Sequence, residues 1–518
     1  MTWDAIVIGS GFGGAMAAWP LVEAGQRVLM LERGGWVGRG PENWRDNAAG
    51  LIAPHYTRES PYDVQAGGRR YQAGAWNCVG GQSVFYGGAS YRFREKDFIP
   101  HTGVCGESGA DWPFRYDDIE PFYSLAEQLL GVAGAPSAGE GWRSMPYSQA
   151  PAPLSATSRA IADAAIVAGL TPSRIPLAIS FDGNGAARPC VRCGTCDGYA
   201  CAAEAKNDLA TGLIPRMIRA GLTLRANTVC VRLRRSGSRI TGVEFVDRIS
   251  GVGGTLEANT VILAAGTLAT PHLLLASLLA GVNPAGAAVG RYLTRHNNAV
   301  VMGLFAHQQA RVQAFDKQIA ILDLYEAAGS IQQLTPPVGL VKSYLPLGLR
   351  SLGAALVSYS SGLIAIAEDQ PCAENGIDID WSRRDGFGLP LARVRHRYST
   401  RDVSSTATLV RTAKRILRIA GAGLTWTHGI ETFSHALGTV RMGPDAATSP
   451  LDGDGRYRGL DNLFVTDGSA LPRSAGLNPS LTIAANALRI GARLARNTPV
   501  LRGRSLRTLT ILPQPSHQ

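Results

Sequence analysis

The opening of the chain alternates short apolar runs with one helical stretch. The run DAIVIG, residues 4–9, ends in glycine, and the run RVLML, residues 27–31, is followed by an acidic residue. Between them, residues 13–24 are predicted to form a helix. Apolar runs of this length without polar alternation are typical of parallel strands that are buried on both faces. The pattern therefore predicts a strand, a turn, a helix and a second strand within about 30 residues.

Similar runs recur later in the chain. Residues 222–231 and 242–245 are predicted strands, and residues 259–277 predict a strand, a glycine turn and a helix. Residues 476–495 predict a turn followed by an amphipathic helix. Residues 39–75, in contrast, are expected to be rich in loops. Strands that alternate with helices predict an α/β fold with a parallel sheet.

Glycine is abundant, with 61 of the 518 residues, so roughly one Gly-x-Gly-x-x-Gly pattern is expected by accident. The pattern formed by Gly9, Gly11 and Gly14 differs from an accidental one because it lies between the predicted strand and helix. There Gly9 allows a tight turn, Gly11 lets the backbone approach a pyrophosphate, and Gly14 lets the helix pack closely on the strand. Glu32 follows the second strand, can accept from ribose hydroxyls and disfavours a 2′-phosphate. These features predict a Rossmann-like dinucleotide site.

A second glycine-rich segment, WNCVGGQSVFYGGASYRF, spans residues 76–93. Its paired glycines, at positions 80 and 81 and at positions 87 and 88, flank a short apolar stretch. Glycine pairs allow a backbone to lie directly against a planar ligand. An ordinary pair of glycine-rich turns is the alternative interpretation of this segment.

The formal net charge of +11 raises the question of a polyanionic partner. Only five of the 51 basic residues are lysine, and the arginines are scattered rather than interleaved with aromatics. This distribution argues against nucleic-acid binding. The amino terminus shows neither a signal-peptide pattern nor a twin arginine, so we expect a cytoplasmic protein. The apolar stretch 351–367 is short for a membrane span and contains four serines, so we expect a buried segment and no transmembrane helix.

Four cysteines within twelve residues, Cys190, Cys193, Cys196 and Cys201, form a C-x2-C-x2-C-x4-C pattern. The spacing is close to that of metal and iron–sulfur ligands, although the bacterial ferredoxin run has x3 and a following proline. Three interpretations stay open: packed thiols or a local disulfide, an iron–sulfur cluster, and a zinc site.

Seven blocks in order along the chain resemble the glucose-methanol-choline (GMC) family of FAD-dependent oxidoreductases, and in particular its bacterial members. They are VIGSGFGG with LERG, VGGQSVFYGG, WPFRYDDIEPFY, VILAAGTLATPHLLL, VGRYLTRH, HALGTVRMG, and NLFVTDGSALP with LNPSLT. The resemblance implies an α/β fold in which a discontinuous Rossmann-like FAD-binding domain carries an α+β substrate domain on an antiparallel sheet. The FAD domain would comprise residues 1–100, 205–298 and 430–518, and the substrate domain would comprise residues 101–204 and 299–429.

The resemblance also implies a reaction: oxidation of an alcohol to a carbonyl, with hydride transfer to N5 of FAD. The family's catalytic histidine lies in the H-x-x-G-T block, which places it at His435, and the second catalytic position, before the proline of the last block, falls on Asn478. An unactivated hydroxyl ionises far above neutral pH, and a neutral histidine is suited to accept its proton. Asn478 can hydrogen-bond the substrate oxygen but cannot act as a base. A histidine that is merely part of the core is the alternative for His435.

Further residues would contact FAD by the same resemblance. They are Gly9, Gly11, Gly13, Gly14, Glu32, Arg33, Gly80, Gly81, Ser83, Gly87, Gly88, Val229, Ala265, Gly266, Asp467, Gly468, Pro479 and Ser480. The second glycine segment departs from the family pattern, since Gln82 replaces its first serine and Tyr86 replaces an asparagine. It offers no histidine for covalent attachment, so we expect FAD to be bound non-covalently.

Several functions remain to be distinguished. The first is oxidation of a sugar, polyol or natural-product hydroxyl, with oxygen or another acceptor taking the electrons. A second is a dehydrogenase that passes electrons through a cysteine-bound iron–sulfur cluster to a quinone or cytochrome, and a third is a flavin-binding protein without turnover. Chain length and composition resemble the family members that oxidise a primary hydroxyl of aminoglycoside intermediates such as paromamine. A cationic substrate of that kind requires carboxylates, for which Glu368 and Asp369 are candidates, with a solvated acidic pair as the alternative.

Overall fold

The structure is a computed structural model that describes residues 2–44, 55–106, 108–183, 188–307, 315–334 and 346–496, together with the single residues Val338 and Lys342. The strands are β1 (Trp3–Ile8), β2 (Val28–Leu31), β3 (Tyr56–Ala66), β4 (Arg69–Trp76), β5 (Pro172–Arg174), β6 (Thr223–Arg225), β7 (Thr228–Ser236), β8 (Arg239–Asp247), β9 (Gly253–Leu256), β10 (Ala258–Leu263), β11 (Asn297–Leu304), β12 (Ile319–Ile321), β13 (Gly329–Leu334), β14 (Ser360–Ala367), β15 (Gly376–Arg384), β16 (Pro390–His396), β17 (Leu424–Gly429) and β18 (Leu463–Val465). The α-helices are α1 (Phe12–Glu23), α2 (Thr102–Cys105), α3 (Tyr116–Leu129), α4 (Ala156–Val167), α5 (Leu213–Arg219), α6 (Ala269–Ala276), α7 (Arg350–Ser358), α8 (Thr400–Ile419) and α9 (Ser480–Arg496).

A parallel five-stranded sheet forms the first layer, in the order β18-β10-β1-β2-β6. Its central strands are apolar on both faces, and Val7 of β1 lies between Met30 of β2 and Ile262 of β10. Helices α1 and α9 pack closely together, since a Cβ on Gly491 would lie 2.3 Å from the Ala17 carbonyl oxygen. The strands come from both ends and the middle of the chain, so the prediction of a discontinuous Rossmann-like sheet is confirmed.

An antiparallel six-stranded sheet forms a second core, in the order β17-β11-β14-β13-β12-β5. Helix α8 covers it, because Leu409, Ile416 and Leu417 are buried in one cluster with residues of the sheet. Ser399 begins this helix with a capping box, in which its hydroxyl accepts from the Asp402 N–H. The expected α+β unit on an antiparallel sheet is confirmed, whereas the residue boundaries of the two domains stay predictions.

The stretch 39–75 corrects the expectation of a loop-rich region. Strands β3 and β4 form a hairpin there, and β3 pairs in parallel with β16 in a mixed sheet of order β15-β16-β3-β4. The signal was present in the chain, because Tyr62, Val64 and Ala66 are buried and alternate with polar positions as a half-buried strand requires.

The remaining strands form an antiparallel sheet of order β7-β8-β9. The strand predicted at 242–245 lies within β8, whereas the one predicted at 222–231 is divided between β6 of the parallel sheet and β7. The apolar stretch 351–367 is divided between α7 and β14, and β14 is buried within the antiparallel sheet. In the part of the chain that the structure describes, no helix combines the length and the apolar character needed to cross a membrane.

Candidate active site

The first glycine turn joins β1 to α1 and requires glycine for steric reasons. Gly9 has a φ of +102°, its N–H donates to the Leu31 carbonyl at 2.8 Å, and a Cβ there would lie 2.2 Å from the Ala264 carbonyl oxygen. A Cβ on Gly14 would lie 1.9 Å from the Gly9 carbonyl oxygen. The spacing therefore brings strand, turn and helix closer together than any side chain would allow.

The second glycine segment packs directly against the first turn. A Cβ on Gly81 would lie 3.1 Å from the Gly11 Cα, and the Gly80 N–H donates to the Ser10 hydroxyl at 2.9 Å. Gly11 begins helix α1 without a side-chain cap, and a Cβ at this position would meet nothing within 4 Å. The amino terminus of α1 thus faces a region that is open to an anionic ligand.

Glu32 and Arg33 follow β2 at the same edge of the sheet. The Glu32 carboxylate accepts from the Ser10 N–H at 3.1 Å, the Ser10 hydroxyl at 2.6 Å and the Gly34 N–H at 2.9 Å. Burial raises the pKa of Glu32, and these hydrogen bonds oppose that effect. The Arg33 guanidinium lies over the Phe387 ring, 5.1 Å from its centroid.

Asp467 holds two further turns of the predicted cofactor site together. Its carboxylate accepts from the Gly266 N–H at 2.8 Å, the Thr270 hydroxyl at 2.5 Å and the Ser469 N–H at 2.9 Å. Burial raises the pKa of Asp467, while the bonds from Ser469 and Thr270 act in the opposite direction. A Cβ on Gly13 would lie 2.7 Å from the Asp467 Cα. Asp467 therefore positions backbone, and its carboxylate is already engaged with the protein.

Other predicted cofactor residues serve the scaffold through their side chains. The Ser83 hydroxyl donates to the Gly80 carbonyl at 2.7 Å and accepts from the Leu209 N–H at 3.1 Å. The Ser480 hydroxyl donates to the Ala89 carbonyl at 3.1 Å. The other predicted positions lie in turns or buried strands: Gly88 has a φ of +80°, Val229 is in β7, Ala265 and Gly266 follow β10, Gly468 follows β18, and Pro479 precedes α9. Their contacts with FAD stay predictions.

His435 is paired with a second histidine, His296, which sequence reasoning did not single out. The two Nδ1 atoms are 3.0 Å apart, and His296 Nε2 lies 3.0 Å from the Ser474 carbonyl oxygen. A carbonyl only accepts, so His296 Nε2 carries a hydrogen; with both rings neutral, His296 Nδ1 accepts from His435 Nδ1–H. The Nε2 atom of His435 is then left without a hydrogen and can accept a proton. The available signal for His296 was its place at the end of the VGRYLTRH block.

Electrostatics keep His435 in its neutral form. Burial is the main cause that lowers the pKa of His435 to about 3, and the positive charge of Lys317 acts in the same direction. The side-chain amide oxygen of Asn478 is buried and has no hydrogen-bond partner among the described residues. A buried amide without a partner is costly unless a ligand completes it. The unpartnered atom accepts, so a ligand that completes it must donate, and the role of Asn478 towards the substrate stays a prediction.

Lys317 and Asp197 form an ion pair that sequence reasoning also missed. The Lys317 ammonium donates to the Asp197 carboxylate at 2.5 Å, and both groups lie against Gly87 of the second glycine segment. The two residues are 120 positions apart, so no local pattern joins them. The rarity of lysine in this chain was the one signal that pointed to Lys317.

The cysteine motif does not assemble a metal site in the described residues, where no group of three or more His, Cys, Asp or Glu side chains is arranged to hold an ion. Cys190, Cys193, Cys196 and Cys201 are free thiols. Burial raises the pKa of Cys190 to about 11 and raises that of Cys196 well above its usual value. No disulfide joins these four residues; Cys193 is exposed and the other three are half-buried, and the iron–sulfur and zinc interpretations stay predictions.

Glu368 and Asp369 do not form the solvated acidic pair that was the alternative to a substrate contact. Glu368 pairs with Arg473 at 3.1 Å. Asp369 accepts from the backbone N–H groups of Arg295 and His296 at 2.8 and 3.1 Å. Burial acts to raise the pKa of Asp369, but His396 and these partners outweigh burial and hold that pKa below its usual value. Both carboxylates already have partners in the protein, so neither is a free anchor for a cationic substrate.

Comparison with known proteins agrees with this architecture. Two family profiles, both described as GMC oxidoreductase, match residues 3–298 and 373–487. Paromamine 6'-oxidase from Streptomyces fradiae is 31% identical, over 95% of this chain and 91% of that protein. The 2-methyl-1,2-propanediol dehydrogenase of Mycolicibacterium austroafricanum is 28% identical, over 95% of each chain. An FAD-dependent oxidoreductase from Chaetomium thermophilum matches with a TM-score of 0.66 and 16% identity, over 96% of this chain and 99% of that one.

The chain belongs to the GMC oxidoreductase family. It is an FAD-dependent oxidoreductase that acts on the CH–OH group of an alcohol, and the predicted family and reaction class are confirmed. The residues present fit the cofactor, because the open approach to Gly11 and to the amino terminus of α1 suits a pyrophosphate.

Proposed function

We propose that His435 is the base that takes the hydroxyl proton of a sugar, polyol or natural-product alcohol, with Asn478 as the hydrogen-bonding partner of the substrate oxygen. The observation that carries this proposal is the histidine pair, in which the Ser474 carbonyl and His296 leave Nε2 of His435 free to accept a proton. Bound FAD supplies the hydride acceptor that the oxidation requires.

The proton transfer follows from the environment of His435. Because its pKa is lowered to about 3, the imidazole is neutral at physiological pH and can accept a hydrogen bond from the alcohol. Donation from His435 Nδ1 to His296 holds the ring in one tautomer and one orientation. The Asn478 amide can donate to the substrate oxygen as negative charge develops on it, which lowers the barrier in a buried site.

The glycine turns and Glu32 are proposed to hold FAD without a covalent bond. Gly9, Gly11, Gly80 and Gly81 would bring backbone to the cofactor, and the amino terminus of α1 would face its pyrophosphate. Precipitation of the purified protein with acid should release free FAD into the supernatant. Flavin that stays with the pellet would contradict this part of the proposal.

The next measurement has to identify the substrate and the electron acceptor. The relatives are named for paromamine and for a 1,2-propanediol, which favours a hydroxyl-rich small molecule. Screening alcohols for bleaching of the flavin without oxygen, followed by assay of hydrogen peroxide with oxygen, identifies both.

His435→Gln tests the base directly. The variant should keep its FAD and its fold, while the rate of flavin reduction falls by roughly 10²–10⁴-fold. Unchanged reduction by the variant would remove His435 from the mechanism. A protein that binds FAD but reduces it with no alcohol would instead support the non-catalytic flavin-binding alternative.

A further inference from the structure

Asp369 connects the two segments that hold His296. It lies two residues after β14, and its side chain is 1% exposed. One carboxylate oxygen, Oδ1, accepts from the His296 N–H at 3.1 Å and from the Ser474 hydroxyl at 2.9 Å. The other, Oδ2, accepts from the Arg295 N–H at 2.8 Å. One buried carboxylate therefore contacts both partners of the hydrogen bond between His296 Nε2 and the Ser474 carbonyl.

The backbone of His296 is held from both sides in an unusual conformation. Its φ is +60°, a value that residues other than glycine rarely adopt. Its N–H donates to Asp369, and its carbonyl accepts from the Tyr398 hydroxyl at 2.8 Å. Because the surrounding groups impose this conformation, removing one of them should let the imidazole move.

A neighbouring carboxylate, that of Glu368, fixes the chain on either side of Ser474. It accepts from the Ala475 N–H at 3.2 Å and pairs with the Arg473 guanidinium at 3.1 Å. Ala475 has a φ of +54°, so this turn also depends on its anchors. The Ser474 carbonyl is thereby presented to His296 from a fixed backbone.

The segment that leads to His435 is tied to the same place. The Arg295 guanidinium donates to the Glu431 carbonyl at 2.9 Å and lies over the Phe433 ring, 4.7 Å from its centroid. The backbone N–H of Arg295 is one of the three donors to Asp369. Both histidines of the pair are therefore approached by chain that this carboxylate holds.

We propose that Asp369 is a positioning residue: it fixes His296 in place and, through His296, sets the tautomer of His435. This inference rests on the proposed function of His435. A carboxylate suits the task because it accepts from all three N–H and O–H groups and donates none.

Loss of this anchor has a defined chemical consequence. His296 Nδ1 lies 3.0 Å from His435 Nδ1, and it is the acceptor for the hydrogen on that atom. When His296 turns away, the hydrogen on His435 is free to move from Nδ1 to Nε2. A ring in that second tautomer has no lone pair on Nε2 for the proton of the alcohol.

The tautomers can be measured without a substrate. In the oxidised holoenzyme labelled with ¹⁵N-histidine, the chemical shift of each ring nitrogen reports whether it carries a hydrogen. The chain has nine histidines, and His435→Gln and His296→Phe assign the two rings of the pair. The wild-type protein should carry hydrogen on Nδ1 of His435 and on Nε2 of His296.

Two substitutions of Asp369 should change these signals to different extents. Asp369→Ala removes all three acceptor contacts, so we expect mixed tautomers at both rings. Asp369→Asn keeps one acceptor oxygen but turns an amide N–H₂ group towards one of the donors, so its spectrum should lie between those of the wild type and the Ala variant.

A double-mutant cycle separates positioning from a general loss of structure. The readouts are the rate of flavin reduction by 1,2-propanediol without oxygen, its KM, FAD content and Tm. Asp369→Ala should lower the rate at saturating diol by about 10- to 100-fold and leave KM within about 3-fold. In the His296→Phe background the same substitution should lower the rate by less than about 2-fold, because its effect passes through His296.

A milder variant and a matched control complete the test. Ser474→Ala removes the hydroxyl but keeps the carbonyl, so it should cost about 3- to 10-fold in rate, again only when His296 is present; it replaces Asp369→Ala if that variant does not fold. Asp380 is 5% exposed and accepts from the Ser382 N–H and hydroxyl at 3.1 and 2.6 Å. Asp380→Asn should leave the tautomers unchanged and the rate within about 2-fold.

The possible failures are distinguishable. Wild-type tautomers in Asp369→Ala, or an equal loss of rate with and without His296, overturns the role of Asp369 and leaves His435 as the proposed base. A wild-type His435 with its hydrogen on Nε2 counts against the proposed function and this inference together. If 1,2-propanediol does not reduce the wild-type flavin, that diol is excluded as a substrate, and the tautomers alone decide on Asp369.

Discussion

The parallel and the antiparallel sheets contribute to the site by different means. The edge of the parallel sheet presents backbone, through glycine turns at Gly9 and Gly80 that no side chain could replace. The antiparallel sheet presents side chains, with His296 directly before β11 and Lys317 two residues before β12. In the proposed function the backbone surface faces the planar cofactor, whereas the side chain of His296 orients the base. The first is encoded within one short segment, and the second depends on how distant segments meet.

Substitutions in the glycine turns should have the largest effect, which is on the stability of the fold. Gly9→Ala places a Cβ 2.2 Å from the Ala264 carbonyl at a φ of +102°, so we expect loss of more than about 4 kcal/mol of stability or no folded protein. Gly25→Ala, at a φ of +74° with open space around it, should cost only about 1 kcal/mol. Denaturant unfolding of both variants measures the difference, and equal costs would contradict the steric argument.

Gly11→Ala sharpens the same test, because its Cβ would meet no protein atom within 4 Å. The variant should fold with wild-type stability and bind FAD at least about 10-fold more weakly, since the methyl group occupies the approach of the pyrophosphate. Titration of the apoprotein with FAD gives the affinity. Wild-type affinity would show that the cofactor does not approach Gly11.

The next largest expected effect is a loss of kcat when the hydrogen bond between His296 and His435 is removed. His296→Phe removes the acceptor for His435 Nδ1–H, so we expect kcat to fall by roughly 10²–10⁴-fold while FAD content is retained. His296→Asn is the conservative variant, because its side-chain carbonyl can accept and asparagine tolerates the φ of +60° at this position. Activity should be partly restored in the Asn variant. Equal activities of the two variants would mean that the hydrogen bond does not set the tautomer.

Removing the Lys206 ammonium, which donates to the cysteine-rich loop, should have a moderate effect on stability. Lys206→Met removes the ammonium that donates to one buried carbonyl, that of Tyr199, and to two partly buried ones, those of Tyr86 and Cys196. Although burial lowers the pKa of Lys206 and removing its charge is favourable, we expect a net loss of about 2–3 kcal/mol. Lys414→Met serves as the control, with a change below about 0.5 kcal/mol. Thermal unfolding of both variants tests whether the ammonium holds this loop.

The smallest effect is a pH dependence of stability. Because the pKa of His435 is about 3 in the folded protein and about 6.5 in an unfolded chain, only the unfolded state gains this proton between those values. Stability therefore falls as the pH is lowered from about 6.5 towards 3. His435→Gln should reduce that slope by about 1–2 °C in Tm per pH unit. The exposed His428→Gln is the control and should leave the slope as it is in the wild type.

The fold and the cofactor side were largely predictable from the sequence. The runs before Gly9 and Glu32 became β1 and β2, and the segment at 259–277 became β10 and α6. Parallel strands that are buried on both faces, like glycine turns, produce continuous and local sequence patterns. They can therefore be predicted without a structure. The hairpin at 56–76 was missed although Tyr62, Val64 and Ala66 alternate with polar positions, because this alternation covers only a few residues among many polar ones.

The substrate side was predictable only in part. His435 and Asn478 were found through family blocks, and the structure then added partners that lie far away in the chain. His296 and His435 are 139 positions apart, and Asp197 and Lys317 are 120 positions apart. Glu368 and Asp369 were misjudged for the same reason, since their partners come from other segments.

The order of residues along the chain was therefore enough to predict the first strands of the parallel sheet and the glycine turns, because their patterns are local. It was also enough to predict the reaction class, through the family blocks. Tertiary structure decided which tautomer His435 adopts, which carboxylates are already engaged and where the Lys317 charge lies. Hydrogen bonds and ion pairs of this kind act over a few ångströms in space, and only the folded chain brings their partners to that distance.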